Sequence, residues 1–206
     1  MQDKKRTGKQ IQAAETKKKI CESAAALFKE YGFENVSVDS IVEKAGISKG
    51  GFYVHFNSKD ALTSALIEEY VNQLDLGYKV FLDEFSDSIN ASDILLALIN
   101  KISDTMTDDI GYNLTKLAYR IQIDRNISTG TLLNYNRDIY GIFSSLIQRG
   151  IRQNEFKAEL NANMLADQFV TILRGFTYEW CIRYPEFNLK DELSRHFTLL
   201  LLGIKN

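Results

Sequence analysis

Residues 33–62 read FENVSVDSIVEKAGISKGGFYVHFNSKDAL, and the fold is decided there. Ser37 can cap a helix by accepting a hydrogen bond from the free N–H groups of its first turn. Behind it Val38, Ile41, Val42 and Ala45 recur at helical spacing. Gly46 can end that helix in the left-handed conformation, which other residues adopt only with strain. Ile47 is an apolar plug. Ser48 caps a second short helix, about Lys49 to His55, and Asn57 or Ser58 caps a longer one carrying Ala61, Leu62, Ala65, Leu66 and Tyr70. Two short helices across a glycine-centred turn make a helix-turn-helix, with the motif proper at about 37–56. Isolated helices below ~12–15 residues are marginal in water. These two therefore need neighbours against which to bury Val38, Ile41, Val42, Ile47, Phe52 and Phe56.

The nearest neighbour lies upstream. Ile20, Ala24, Leu27, Phe28 and Tyr31 form one apolar face, which predicts a helix over about 17–31 with Thr16 as its cap and Gly32 as its end. Residues 1–13 are polar and basic (Lys4, Lys5, Arg6, Lys9) and are expected to form a flexible arm. Downstream, apolar periodicity predicts helices over 93–107, 112–123, 132–153 and 163–184, the last stopped by Pro185, and another from about 189. Pro185 is the single proline in 206 residues, so little interrupts these helices. The expectation is an all-α chain of about nine helices: a three-helix head over 14–74 and a helical bundle over 75–206.

Net charge is −2, but it is unevenly placed. Residues 1–59 hold 11 Lys+Arg against 7 Asp+Glu, while the remainder holds 14 against 20. A basic head on an acidic body suits a local polyanion site. The two cysteines, Cys21 and Cys181, make neither a disulfide framework nor a metal cluster. The two histidines, His55 and His196, stand outside any metal-ligand spacing, and nucleophile motifs and phosphate-binding glycine loops are missing. An enzyme is not expected, nor a cofactor or metal. Without a leader-like or membrane-spanning apolar run, the chain is expected in the cytoplasm.

The ordered set Ala45-Gly46-Ile47-Ser48, Lys49-Gly50-Gly51-Phe52-Tyr53, His55-Phe56 and Lys59 closely resembles the TetR (tetracycline-repressor type) family over about residues 14–74. The resemblance implies a DNA-binding transcriptional regulator: a homodimeric repressor of a palindromic double-stranded operator, released by a small effector. Tyr53, His55 and Lys59 match positions that contact the DNA backbone, and each of these side chains can donate to a phosphate oxygen. Tyr53 as a half-buried aromatic and Lys59 as a surface lysine are the plainer readings. Lys49, Gly50 and Gly51 start the helix that would meet base edges, with Lys49 able to pair with guanine O6/N7. Ser37 and Ser48 match positions near phosphates or bases, although capping accounts for them equally. Two departures stand out. Gly51 replaces a side chain the family often uses, and Asp39 places an acid where members that read DNA from this helix can carry a basic residue; it could accept from cytosine N4 or simply favour the positive helix N-terminus. A helical scaffold whose head no longer binds DNA therefore stays open.

For the body, the aromatic residues Phe81, Tyr112, Tyr119, Tyr135, Tyr140, Phe143, Phe169 and Phe176 are candidates to line a pocket for a hydrophobic or aromatic effector. Plain core is the alternative for each. Leu173, Gly175, Trp180, Phe197, Leu200 and Leu201, near the end of the chain, are candidates for the dimer interface.

Overall fold

A computed structural model describes residues 8–124 and 137–206; among them regular structure is helical, apart from an isolated bridge between Phe156 and Lys205. The helices are α1 (Gly8–Tyr31), α2 (Val38–Ala45), α3 (Lys49–His55), α4 (Lys59–Leu82), α5 (Ala91–Asp104), α6 (Tyr112–Asp124), α7 (Asp138–Arg152), α8 (Ala162–Arg183) and α9 (Leu189–Ile204). A 3-10 turn covers Phe33–Asn35, and a π turn, Thr105–Ile110, follows α5 directly.

The start of α2, α3 and α4 is set by the serines the sequence marks. Ser37 Oγ accepts from Ser40 N–H at 3.1 Å, and Ser40 Oγ accepts in return from Ser37 N–H at 3.0 Å. Ser48 and Ser58 each accept from the amide three residues on, Gly51 and Ala61, at 3.0 Å. Gly46 closes α2 at φ 66°, ψ 36°. Each bond satisfies a backbone group that the first or last turn leaves without a helical partner.

Elsewhere the boundaries differ from expectation. The first helix already includes Gly8, upstream of Thr16, whose hydroxyl donates to Gln12 O at 2.9 Å inside the helix. Glutamine, alanine, glutamate and lysine dominate residues 9–19, and these straight-chain residues and alanine favour helix over a cap. Lys9 is thus helical, whereas Lys4, Lys5 and Arg6 lie outside the described residues. Gly32 has a positive φ of 78° but an extended ψ of 153°, so it turns the chain without making the left-handed cap. The helix expected from 132 is described from Asp138 onward. No linker separates head from body at 74–75, because α4 runs unbroken across that point.

Two cores result. Ile20, Ala24, Phe28, Val36, Ile41, Val42, Phe52, Phe56, Leu62 and Leu66 form the head core, and Leu117 and Ile121 of α6 close it from the body side. The larger core joins α5, α7, α8 and α9. Phe143, Phe169 and Phe197 run through it edge to face, with centroids 5.5 and 5.1 Å apart, an arrangement that adds to plain burial. Phe156, wholly buried, packs against Gly150, where a Cβ would overlap its ring.

Candidate functional site

On the head, α2 braces α3 and leaves the first turn of α3 open. Lys49 and Gly50 are exposed, Gly51 and His55 are half-buried, and Tyr53 is 48% exposed with its ring edge-on to the buried Phe52. A side chain at Gly50 would meet only Ser48 Oγ at 3.9 Å, and one at Gly51 the same oxygen at 3.4 Å. Internal packing therefore does not demand either glycine. Their helix cost, roughly 1 kcal/mol each relative to alanine, goes unexplained by anything inside the chain.

Lys49 and Lys59 behave differently. Lys49 Nζ sits 2.7 Å from Asp39 Oδ1, both side chains well exposed, and the nearby carboxylate raises the lysine pKa by hydrogen bonding and charge. Asp39 thus faces Lys49 from α2. Lys59 turns inward: its ammonium donates to Phe33 O and Val36 O, each at 2.9 Å, and lies 3.9 Å above the Phe33 ring. Two of its three protons thus hold the 3-10 turn against α4. Ser37 and Ser48 use their hydroxyls as caps.

Between head and body lies a cavity of about 170 Å³. Its walls come from α1 (Ala25, Phe28), α4 (Ile67, Tyr70, Leu74, Tyr78), the π turn (Met106, Ile110), α6 (Leu114, Tyr119) and α8 (Val170, Leu173, Thr177), with Arg137 and Ile139 at the start of α7. Most of the polar atoms around it are engaged. Thr63, Thr115 and Thr177 donate to the carbonyls of Lys59, Gly111 and Leu173, and Tyr119 donates to Arg174 O at 2.7 Å. Arg137 grips the buried carboxylate of Asp75 through Nη2 at 2.7 Å and Nε at 3.3 Å. The Tyr78 hydroxyl is buried with no hydrogen-bond partner among the described residues. Burial first, then the Asp75 carboxylate, raises its pKa.

Of the aromatic residues expected at a pocket, Tyr119 lines this cavity. Phe143 and Phe169 are wholly buried core and Tyr140 nearly so. Phe81 packs edge-on to Phe85, Tyr112 stacks on Tyr184 at 4.1 Å, and Phe176 lies against His196. Tyr135 is outside the described residues. The candidate dimer residues are likewise redistributed. Leu173 lines the cavity, Trp180, Phe197 and Leu201 are buried in the protomer's own core, and Leu200 is half-buried. Gly175 is exposed, with nothing within 4 Å of a Cβ placed there. The reason is helical phase. On α8 the outward stripe is Thr171, Gly175, Tyr178 and Ile182, and on α9 it is Leu199 and Leu202, each of these leucines 64% exposed. Of the residues named from sequence, Gly175 lies on the outward stripe, Leu200 is half-buried, and Leu173, Trp180, Phe197 and Leu201 lie on the core-facing sides.

The cavity also touches a latch between head and body. Lys29, at the end of α1, donates to Asp109 O at 2.9 Å and Asp108 O at 3.3 Å, the carbonyls of the π turn. Asn113 Nδ2 donates to Lys29 O at 2.9 Å, and Arg120 pairs with Glu34. The π turn thus meets the cavity through Met106 and Ile110 and the head through its backbone. Both cysteines are half-buried. Burial raises the Cys21 thiol pKa and pushes Cys181 up to about 11, so neither offers the thiolate that redox sensing uses. No cluster of metal-ligating side chains occurs among the described residues, and none of the described helices is long and apolar enough to cross a membrane.

Comparison with known proteins places this geometry. The family described as bacterial regulatory proteins, tetR family, matches residues 20–66, which span α1 to the first turns of α4. The A-factor receptor protein of Streptomyces griseus is 34% identical over 67 residues, 32% of this chain but 24% of that protein. An uncharacterized HTH-type transcriptional regulator of Bacillus subtilis, YfiR, is 28% identical over 159 residues, 76% of this chain and 75% of its own length. Among solved structures, a TetR-family transcriptional regulator from Pectobacterium atrosepticum superposes with a TM-score of 0.78 at 20% identity, covering 97% of this chain and 98% of that one. The transcriptional regulator FadR of Bacillus subtilis, in complex with stearoyl-CoA, gives 0.70 at 19% identity, covering 91% and 98%.

Proposed function

We propose that the chain, whose residues 20–66 match the tetR family of bacterial regulatory proteins, is a transcriptional regulator of that family, a homodimeric repressor released from a palindromic operator by a small hydrophobic or aromatic effector. The observation that carries DNA binding is the open first turn of α3, with Lys49, Gly50 and Tyr53 exposed on a unit locked by the Ser37, Gly46 and Ser48 caps. Tyr53 and His55 are the proposed phosphate donors, fixing register without reading sequence. Gly50 and Gly51 let the α3 backbone approach the bases. Lys59 holds the 3-10 turn that carries Ser37 and so acts by positioning.

The proposed dimer uses a second copy of this chain against the outward stripes of α8 and α9. Tyr178, Ile182, Leu199 and Leu202 supply apolar area, and Gly175 permits close helix approach. Two heads then need to sit about 34–36 Å apart to enter successive major grooves. The effector site is the head–body cavity. At about 170 Å³ it is comparable with an engineered cavity of roughly 150 Å³ that takes up benzene, so a ring-sized apolar molecule fits. Its entry would press on Met106 and Ile110 and disturb the carbonyls that Lys29 holds. Cytoplasmic operation follows from a DNA target.

The experiment is selection from random duplex DNA followed by a salt titration. A palindromic site bound with affinity falling steeply as salt rises supports the reading. Absence of any selected sequence, or binding indifferent to salt, overturns it and favours a helical scaffold.

A further inference from the structure

The pairing of Asp39 with Lys49 joins an acceptor from α2 to a donor from α3, 2.7 Å apart, on the edge of the head that would face DNA. As a stabilising contact it contributes little, because exposed ion pairs are worth about 0–1 kcal/mol. As a surface feature it is costly for a DNA-binding head: a carboxylate facing a polyanion repels it unless a donor meets that carboxylate. The major groove offers donors in cytosine N4 and adenine N6, and acceptors in guanine O6 and N7, adenine N7 and thymine O4. In a G·C pair, guanine O6 and cytosine N4 are adjacent, joined by a Watson–Crick hydrogen bond. A lysine and an aspartate in contact with each other can therefore meet both bases of one pair. Lys49 would lie across guanine O6 and N7, and Asp39 would accept the remaining cytosine N4 proton.

We propose that Asp39 and Lys49 act as one reading unit for a single G·C base pair in each half-site, with Asp39 the specificity-determining residue. The proposal rests on the DNA-binding reading above and deepens it. An A·T pair also offers a donor for Asp39, but it lacks the two adjacent acceptors that Lys49 spans on guanine. The glycines complete the unit. With no side chain at Gly50 or Gly51, nothing on the first turn of α3 stands between the pair and the groove floor. Asp39 also holds back indiscriminate binding, since Lys49 paired to a carboxylate is a weaker phosphate ligand than Lys49 alone.

The test uses the full-length protein and the duplex it selects from random DNA. Competition binding compares duplexes carrying G·C, A·T or 7-deazaguanine·C at each position, for wild type, Asp39→Ala, Asp39→Asn and Lys49→Ala. The expected wild-type result is one position per half-site where A·T weakens binding on the order of 10-fold and 7-deazaguanine weakens it measurably. Asp39→Ala should bring the G·C over A·T ratio at that position close to one. It should also tighten binding to unrelated duplexes and steepen the salt slope by about 0.9, the increment for one further phosphate contact. Lys49→Ala should abolish the 7-deazaguanine effect. Asp39→Asn, which keeps size and removes charge, checks that loss of preference is not loss of folding. Wild type selecting a site while Asp39→Ala keeps its ratio there would overturn this proposal alone. Wild type binding no duplex would overturn the DNA-binding reading, and this proposal with it.

Discussion

Residues 37–62 and the described residues between 91 and 204 are both largely helical and close-packed, yet they are held by different kinds of contact. In the head the positions of three helices follow from bonds between residues three apart: Ser37 with Ser40, Ser48 with Gly51, Ser58 with Ala61. In the body the governing contacts are distant in sequence. Phe143, Phe169 and Phe197 come from three helices, and Arg137 reaches back to Asp75. Local bonds fix where a helix starts, whereas distant contacts fix which face of it is buried. A head built the first way can stay rigid and present a fixed edge to DNA. A body built the second way can leave a cavity where its layers meet the head.

Substitutions sharpen that contrast, and the largest effect belongs to the body. Phe169→Ala should lower stability by about 3–5 kcal/mol, read as a shift in denaturant midpoint, because it empties the centre of the aromatic run. A loss below about 1 kcal/mol, accompanied by a specific change in effector response, would return Phe169 to the pocket. Gly150→Ala comes next. Its Cβ would overlap the buried Phe156 ring, so a fall of roughly 1–3 kcal/mol in unfolding free energy is expected, with DNA affinity of the folded fraction unchanged.

In the head the effects are smaller and act on binding. Lys59→Ala removes charge-assisted bonds to Phe33 O and Val36 O. It should cost about 1.5 kcal/mol of stability and leave the salt slope of DNA binding unchanged; a slope lower by about one would mean that Lys59 touches phosphate after all. Ser48→Ala should cost about 1 kcal/mol through the lost cap and loosen α3. Thermal unfolding reads the first effect, and a reduced DNA affinity the second. The smallest thermodynamic effect is expected where the two regions meet. Lys29→Met should alter operator affinity less than twofold, the salt-screened worth of an exposed contact. It should nevertheless blunt the change in affinity that an effector produces, which a DNA-binding titration with and without effector would measure.

Legibility followed the same divide. Ser37, Gly46, Ser48 and Ser58 could be read as punctuation because their roles depend on neighbours within one turn. The start of α1 could not be read from Thr16, since a potential cap does not act as one when the residues before it also favour helix. Of the aromatics expected at a pocket, Tyr119 lines the cavity, and the other candidates within the described residues do not; Phe28, Tyr70 and Tyr78 line it instead. Periodicity marks a residue as inward-facing, but it cannot say whether the space it faces is filled by another side chain or left empty. Tyr78, Met106 and Ile110 gave no signal because their cavity is bounded by six helices and a turn from across the chain. Of the outward stripes of α8 and α9, Gly175 alone was among the residues named from sequence, for a related reason. Both helices are apolar over more than one face, and only packing decides which face each turns to its own core.

The sequence by itself determined the helical class, the helix-turn-helix with its capped ends, and the resemblance carried by residues 20–66. Those features rest on local hydrogen bonding and spacing, which a linear pattern carries. Tertiary structure decided that Lys59 braces a turn, that Asp39 faces Lys49, that the cavity lies between head and body, and which face of each C-terminal helix is left outward. Those outcomes depend on the phase and proximity of elements far apart in the chain, and close packing settles them only when all of the helices are in place.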